Sequence, residues 1–217
     1  MSARDVILAR VRAALVDVPR DEVFAVPREY AREHVGEGVL ELLVEHLRDY
    51  RALVHEVAED DLADAIARAV QRRGARRVVI PAGLPDGWTA GLGEGVCVPD
   101  GWLYDSPINN GPMLSVADLD GTDGVLTASA VAIAETGTIV LDAGPGQGRR
   151  ALSLVPDWHL CVVRAADVVA SVPRALERLA PGRPQTWISG PSATSDIELD
   201  RVEGVHGPRT LEVLIVR

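Results

Sequence analysis

The chain has 217 residues, 47% of them hydrophobic and 25% charged, and its formal net charge at pH 7 is -10. A chain of this length and composition can bury the core of one large soluble domain, with or without a small appendage. The negative charge argues against nucleic acid as a partner, because phosphate backbones attract a basic surface.

The residue types present also exclude several kinds of site. All 22 basic residues are arginine, so the chain has no lysine for a Schiff base or a P-loop. Cys97 and Cys161 each lie in an apolar run, and two isolated thiols cannot hold a zinc ion or an iron–sulfur cluster alone. No histidines have metal-ligand spacing, and we expect no metal bound by the protein.

No segment has the pattern of a signal peptide or a membrane span. Charged residues interrupt the amino-terminal apolar stretch, for example Arg4 and Arg10. The longest apolar run, residues 125–134, is far too short to cross a bilayer. The default expectation is a cytoplasmic protein.

The amino terminus is predicted to form a helical arm. Ser2 is placed to cap a helix in which apolar residues recur at helical spacing, with arginines on the other side. Pro19 and Pro27 bracket a linker, and another helix is predicted over Val39 to Tyr50. We therefore divide the chain into an arm over residues 1–35 and a domain over residues 36–217.

From Ala52 onward, short apolar runs alternate with helices. A strand over 52–57, a helix over 60–73 and a strand over 77–81 have the length of a parallel crossover unit. Further strands are predicted near residues 96–98, 124–127, 130–134, 138–141, 159–163, 186–188 and 211–216, and further helices near 114–119, 151–155 and 167–179. The predicted fold is α/β, with a mostly parallel open sheet, flanking helices and the amino-terminal arm.

A carboxylate and two threonines follow one of these apolar runs, as Glu135-Thr136-Gly137-Thr138. The pattern predicts two strands around a tight glycine turn, although a bulged strand has the same pattern. At a strand end, Glu135 can act as a general base, as a nucleophile or as an acceptor for a ligand hydroxyl. The alternative, that Glu135 only accepts hydrogen bonds from backbone amides, is equally open.

Small polar residues follow the strand predicted at 186–188. They are Ser189, Gly190, Ser192 and Thr194, and a helix predicted from Ser195 then places Asp196 and Glu198 in its first turn. Hydroxyls and amides at a helix N-terminus can surround a phosphate or a carboxylate. Plain capping explains one or two of these residues but not the whole set, so the pattern favours ligand contact. We expect both polar stretches to converge on one ligand beyond the carboxyl edge of the sheet.

Two loops supply further candidates. Gly144 to Arg150 is a glycine loop that ends in paired arginines, and it either folds over an anion or forms a mobile surface turn with solvated arginines. The second interpretation is the favoured one. His206 lies between glycines, where an imidazole can donate to an anion or carry a proton near neutral pH.

Taken together, these stretches resemble the signatures of a known family, the LUD domain of lactate-utilisation protein C. The similar stretches are Ala132 to Leu141, Ile188 to Ser192, Thr194, Asp196 to Glu198 and Gly204 to Pro208. Their order and spacing match over roughly the last hundred residues. The resemblance implies a parallel-sheet fold related to sugar-phosphate isomerases, CoA transferases and formyltetrahydrofolate cyclo-ligases.

The resemblance also implies a function. It points to a three-protein system that oxidises L-lactate to pyruvate, with iron–sulfur clusters in two partner subunits and no cofactor in this chain. In the related CoA transferases a Glu-Asn-Gly motif supplies a nucleophilic glutamate, and Glu135-Thr136-Gly137 is similar in shape, with threonine in place of asparagine.

Two hypotheses follow. The first is a non-redox subunit of a lactate oxidation complex that binds a small anion and docks its partners. The second is a stand-alone transferase, isomerase or ligase that acts on a CoA-linked or phosphorylated carboxylate through Glu135. The candidate ligand-binding residues are Thr136, Gly137, Thr138, Ser189, Gly190, Ser192, Thr194, Asp196 and His206, with Glu135 as the candidate catalytic residue. Both hypotheses are compatible with a homo-oligomer.

Overall fold

A computed structural model describes residues 2–18, 25–29, 31–32, 34, 36–90, 102–105, 113–194, 202–203 and 206–217. Side chains are described for all of these except 102–105, 194 and 202–203. The chain divides into two compact units, Met1–Ala31 and Arg32–Arg217. The predicted boundary near residue 35 stays a prediction.

In its described part, the first unit contains the helix α1 over Ala3–Ala14. Ser2 caps α1 as predicted: the Ser2 hydroxyl accepts a hydrogen bond from the amide of Asp5, and the Asp5 carboxylate accepts one from the amide of Ser2. These hydrogen bonds hold the pKa of Asp5 below its usual value. No residue of α1 is buried, and Ile7, Val11 and Leu15 are all exposed.

The second unit contains the remaining elements. Its helices are α2 (Val39–Asp49), α3 (Leu62–Arg73), α4 (Val116–Asp120) and α5 (Val172–Arg178). Its strands are β1 (Leu53–Val57), β2 (Val78–Pro81), β3 (Trp102–Asp105), β4 (Gly124–Ala128), β5 (Val131–Ile133), β6 (Thr138–Leu141), β7 (Trp158–Arg164), β8 (Val168–Val169), β9 (Thr186–Ile188), β10 (Ala193–Thr194), β11 (Val202–Glu203) and β12 (Thr210–Val216). Short 3₁₀ turns lie at Glu59–Asp61, Asp86–Thr89, Arg150–Ser153 and Ala165–Asp167.

Six strands form a parallel sheet in the order β1-β12-β7-β4-β2-β3. This sheet confirms the predicted α/β fold with a mostly parallel open sheet and flanking helices. The strand predicted at 96–98 lies outside the described residues, and β3 was not predicted. The helix predicted over 167–179 is shorter: β8 takes its first residues, and Ser171 then caps α5. The helix predicted over 151–155 is a 3₁₀ turn.

A second, four-stranded sheet has the order β8-β5-β6-β9. In this smaller sheet β6 runs antiparallel to both β5 and β9, whereas β8 runs parallel to β5. The ends of β5, β8 and β9 therefore lie at the same edge as the beginning of β6. β5 and β6 pair directly. This pairing confirms the prediction of two strands joined by a turn and excludes the alternative of a single bulged strand.

The core lies on both faces of the parallel sheet, as expected when both faces are covered. On one face, residues of β7 and β12 pack against the smaller sheet and against Leu43 and Leu47 of α2. On the other face, Ile66 and Val70 of α3 pack against Leu160 of β7. One face of the smaller sheet thus shares a core with α2 and the parallel sheet, and its other face packs against α5.

Gly137 makes the turn between β5 and β6 and lets α2 pack closely against it. Its φ is +56°, in the left-handed region that favours glycine, and its amide donates to the Ala134 carbonyl at 3.2 Å. A Cβ at this position would lie 2.8 Å from the Cβ of His46 in α2. His46 also donates from Nδ1 to the Ala134 carbonyl at 2.7 Å. Gly137 is therefore required both by the turn and by the approach of α2.

We predict that Gly137→Ala lowers the free energy of unfolding by about 1–3 kcal/mol, because the new Cβ strains a left-handed residue and contacts α2. Urea denaturation measures the change. The matched control is Gly182→Ala, where a Cβ would have no atom within 4 Å. Equal stability of the two variants would contradict the role given to Gly137.

Candidate functional site

Glu135 lies at the edge of the smaller sheet where β5 ends. Its amide donates to the Ala170 carbonyl at 3.0 Å, which ties it to the end of β8. One carboxylate oxygen, Oε1, accepts a hydrogen bond from the His34 amide at 3.0 Å and lies 3.4 Å from His34 Nδ1. The Glu135 side chain is 22% exposed. The segment that precedes α2 therefore already supplies a partner to this carboxylate.

A chain of hydroxyls joins the two predicted polar stretches. Thr136 Oγ1 lies 2.7 Å from Thr138 Oγ1, which lies 2.8 Å from Ser189 Oγ. The cause is the antiparallel pairing of β6 with β9, which places Ile139 opposite Ile188 and brings the residues beside them together. The structure thus brings Thr136, Thr138 and Ser189 to one edge of the smaller sheet.

Like Gly137, Gly190 packs closely against the end of α2. Its φ is +85°, and a Cβ there would lie 2.7 Å from the carbonyl oxygen of Tyr50, the residue after α2. Both glycines assigned to ligand binding from the sequence are therefore in close contact with the end of α2.

A cavity of about 180 Å³ lies beside β9. Four of the predicted ligand-binding residues line it, namely Ser189, Gly190, Ser192 and His206. Arg150, His159 and Leu211 line it as well. Within the described part of the chain, Glu135 and residues 136–138 do not contribute to its wall. Residues of the second polar stretch therefore line the cavity, whereas the described residues of the first stretch lie next to it.

The position of this cavity differs from the expected one. His159 and Leu211 are the second residues of β7 and β12, so the cavity lies near the beginning of these parallel strands. The polar stretches do follow strand ends, but those ends belong to the smaller sheet. The smaller sheet packs on the face of the parallel sheet, and its edge strand β9 therefore forms a cavity away from the carboxyl edge of the parallel strands.

Ser192 fastens the two walls of the cavity to each other. Its amide donates to the Pro208 carbonyl at 2.8 Å, and its hydroxyl accepts from the His206 amide at 3.0 Å. The hydroxyl keeps its own hydrogen for a further acceptor. This pair of bonds holds the stretch after β9 against the loop that precedes β12.

Arg150 is a site residue that the sequence analysis did not select. Its Nη1 donates to the Ser153 carbonyl at 2.8 Å and to Ser153 Oγ at 3.2 Å, and its Nη2 donates to the His206 carbonyl at 3.1 Å. Arg150 as a whole residue is exposed, and the partial burial of its guanidinium lowers its pKa, yet a guanidinium stays charged in proteins. Among the described residues, no carboxylate lies within ion-pair distance of Arg150.

The glycine loop before Arg150 is buried rather than solvated. The Gly146 amide donates to the Ala82 carbonyl at 2.9 Å, and the Gly146 carbonyl accepts from the Ala128 amide at 2.7 Å. Gly146 and Gln147 are buried. The predicted surface turn is wrong for Gly146 and Gln147, because these bonds hold the loop between β2 and β4, whereas Arg150 at its end is exposed, as predicted.

His159 forms a neutral part of the cavity wall. Its Nε2 lies 2.7 Å from Thr127 Oγ1, which donates to Cys161 Sγ at 3.6 Å. Burial, and to a lesser degree the charge of Arg150, lower the pKa of His159 to about 4. Burial raises the pKa of Cys161 to about 12, so its thiol is not a nucleophile at neutral pH. The predicted buried strand position of Cys161 is confirmed, whereas Cys97 lies outside the described residues.

The remaining candidates are only partly described. Thr194 lies in β10, where its main chain pairs with Val202 of β11. Asp196 and the helix predicted from Ser195 lie outside the described residues. The described residues contain no group of three or more His, Cys, Asp or Glu side chains that could hold a metal ion. None of the helices described is long and apolar enough to cross a membrane.

We predict that His159 makes the stability of the protein depend on pH. The unfolded chain binds a proton on this residue below about pH 6.5, while the folded chain does so only below about 4. The stabilisation is therefore present above pH 6.5 and is lost as the pH falls toward 4, by about 3 kcal/mol in total. Urea denaturation at about pH 7 and about pH 4.5 measures the loss.

The comparison is between the wild type and His159→Gln. The variant should lose less stability on acidification than the wild type. An unchanged acid response in His159→Gln would show that other groups cause it.

Comparison with known proteins identifies the family. The LUD domain model matches residues 117–216. Lactate utilization protein C of Deinococcus radiodurans is 46% identical over 198 residues, which cover 89% of this chain and 84% of that protein. Lactate utilization protein C of Shouchella clausii is 28% identical over 183 residues, which cover 76% of this chain and 75% of that protein.

A solved structure agrees with these matches. The crystal structure of a DUF162 family protein from Deinococcus radiodurans superposes with a TM-score of 0.67 at 42% sequence identity, and it covers 87% of this chain and 100% of that one. The resemblance of the polar stretches to the LUD domain is thereby confirmed. The chain belongs to the lactate utilization protein C family and carries a LUD domain over residues 117–216.

Proposed function

We propose that this chain is a non-redox subunit of a lactate utilisation system and that it binds a small anion in the cavity beside β9. The observation that carries the anion site is the Arg150 guanidinium, which lines the cavity and has no carboxylate partner among the described residues. Such a cation favours a negatively charged ligand, because a guanidinium forms charge-assisted hydrogen bonds with a carboxylate or a phosphate. The names of the relatives support lactate utilisation as its context.

The cysteine content supports a non-redox role. The sequence contains two cysteines, too few to ligate an iron–sulfur cluster alone. Cys161 is fully buried, and its high pKa keeps it protonated. In this proposal the electron carriers are iron–sulfur clusters of partner subunits, and the acidic chain docks to those partners.

The position of Glu135 favours the subunit over the stand-alone enzyme. A general base or nucleophile must contact the ligand, and geometry is the first requirement for either role. Glu135 is absent from the described wall of the cavity, and its carboxylate accepts a hydrogen bond from the His34 amide instead. Its role as a catalytic residue stays a prediction.

We predict that deletion of the coding sequence abolishes growth of the source organism on lactate as the sole carbon source and leaves growth on glucose unchanged. Complementation with the wild-type chain should restore growth. Affinity purification of the tagged full chain should recover partners that contain iron–sulfur clusters, identified by their absorbance and iron content. Normal growth of the deletion strain on lactate would remove the proposed function.

Glu135→Gln separates the two hypotheses. The variant keeps the size of the side chain and the oxygen that accepts from the His34 amide, but it loses the charge and the basicity. A chain that acts as a binding subunit should support lactate growth at the wild-type rate with this substitution. A loss of growth, with the variant still folded by circular dichroism, would instead favour the stand-alone enzyme that uses Glu135.

A further inference from the structure

We infer that the cavity beside β9 selects a short-chain monocarboxylate over phosphorylated and CoA-linked ligands. The inference rests on the anion site of the proposed function and names the class of ligand that this site takes. The hydrogen-bond donors, the charge and the size of the cavity all favour this class of ligand.

Arg150 has the donors that a carboxylate requires. A guanidinium has five N–H groups, and Arg150 gives at most three of them to the Ser153 carbonyl, Ser153 Oγ and the His206 carbonyl. At least two remain for a ligand, and two parallel N–H donors match the two oxygens of a carboxylate. The Ser192 hydroxyl lines the same cavity and has its hydrogen available for a further ligand oxygen.

The charge of the cavity matches a monoanion. Arg150 is the one permanently charged residue in the described wall, and the chain contains no lysine. His159 is neutral at pH 7, because burial lowers its pKa to about 4. A phosphate dianion would need a second positive charge, and the described wall contains one guanidinium.

The size and the apolar wall match a short carbon chain. Ile188, Pro191 and Leu211 line the cavity next to the polar groups. Its volume of about 180 Å³ is smaller than the roughly 300–1,000 Å³ of sites for drug-sized ligands. The cavity is too small to enclose a ligand as large as CoA, whereas a carboxylate with about three to five carbon atoms can place its alkyl part on these three residues.

Isothermal titration calorimetry and thermal unfolding of the full chain test the inference. The probes are the sodium salts of acetate, propionate, butyrate, lactate and pyruvate, compared with inorganic phosphate, glucose 6-phosphate and CoA at matched ionic strength. The monocarboxylates should raise the melting temperature, because they bind the folded state alone. Affinity should rise about fourfold per methylene from acetate to butyrate, as the alkyl group leaves water.

Two substitutions test the role of Arg150. Arg150→Gln should lower the affinity for propionate at least tenfold, and Arg150→Lys should lower it as well, since an ammonium cannot form the two parallel bonds. The matched control is Arg149→Gln, because Arg149 donates to the Leu114 carbonyl and does not line the cavity. Circular dichroism establishes that each variant is folded, and Arg150→Lys serves alone if Arg150→Gln does not fold.

Three results would overturn the inference: tighter binding of a phosphorylated probe than of any monocarboxylate, no binding of any monocarboxylate, or equal affinities of the wild type and the folded Arg150 variants.

These failures are distinct from failure of the proposed function. A deletion strain that loses growth on lactate while its protein binds no monocarboxylate removes this inference alone. If the protein binds propionate through Arg150 but the deletion strain grows normally on lactate, only the proposed function is removed.

Discussion

The antiparallel pairing of β6 with β9 is the constraint on which the rest of the site depends. It joins residues that are about fifty positions apart in the chain, and it places Thr138 within hydrogen-bond distance of Ser189. It also makes β9 the edge strand of the smaller sheet, so that one side of β9 is available to form the cavity wall. Without this pairing, the two polar stretches would belong to separate parts of the molecule.

The packing of α2 against the smaller sheet gives glycine a structural role in this site. Gly137 and Gly190 both have a left-handed backbone, and both lie where a Cβ would contact α2 or the residue that follows it. The left-handed backbone of these two glycines allows the close approach of α2. Gly190 also lines the cavity beside β9, together with Arg150 from another loop.

The described wall of the cavity combines one guanidinium with small polar and apolar groups. Its titratable wall residue His159 is kept neutral by burial, and the neighbouring Cys161 is kept protonated by the same cause. The predicted catalytic carboxylate, Glu135, accepts a hydrogen bond from the His34 amide and does not belong to the described cavity wall. In an acidic chain, a guanidinium in a small cavity with no carboxylate partner among the described residues is a local site of positive potential.

The sequence by itself determined the features that depend on near neighbours along the chain. These are the Ser2 cap, the strand, helix and strand from Ala52 to Pro81, the glycine turn at Gly137 and the family signatures. Only the tertiary structure decided which strands pair, that Arg150 enters the cavity, and that Glu135 lies beside the cavity rather than in it. The reason is that periodicity and turn residues reflect local backbone preferences, whereas the direction of a loop such as 144–150 depends on bonds to Ala82 and Ala128, which are distant in sequence.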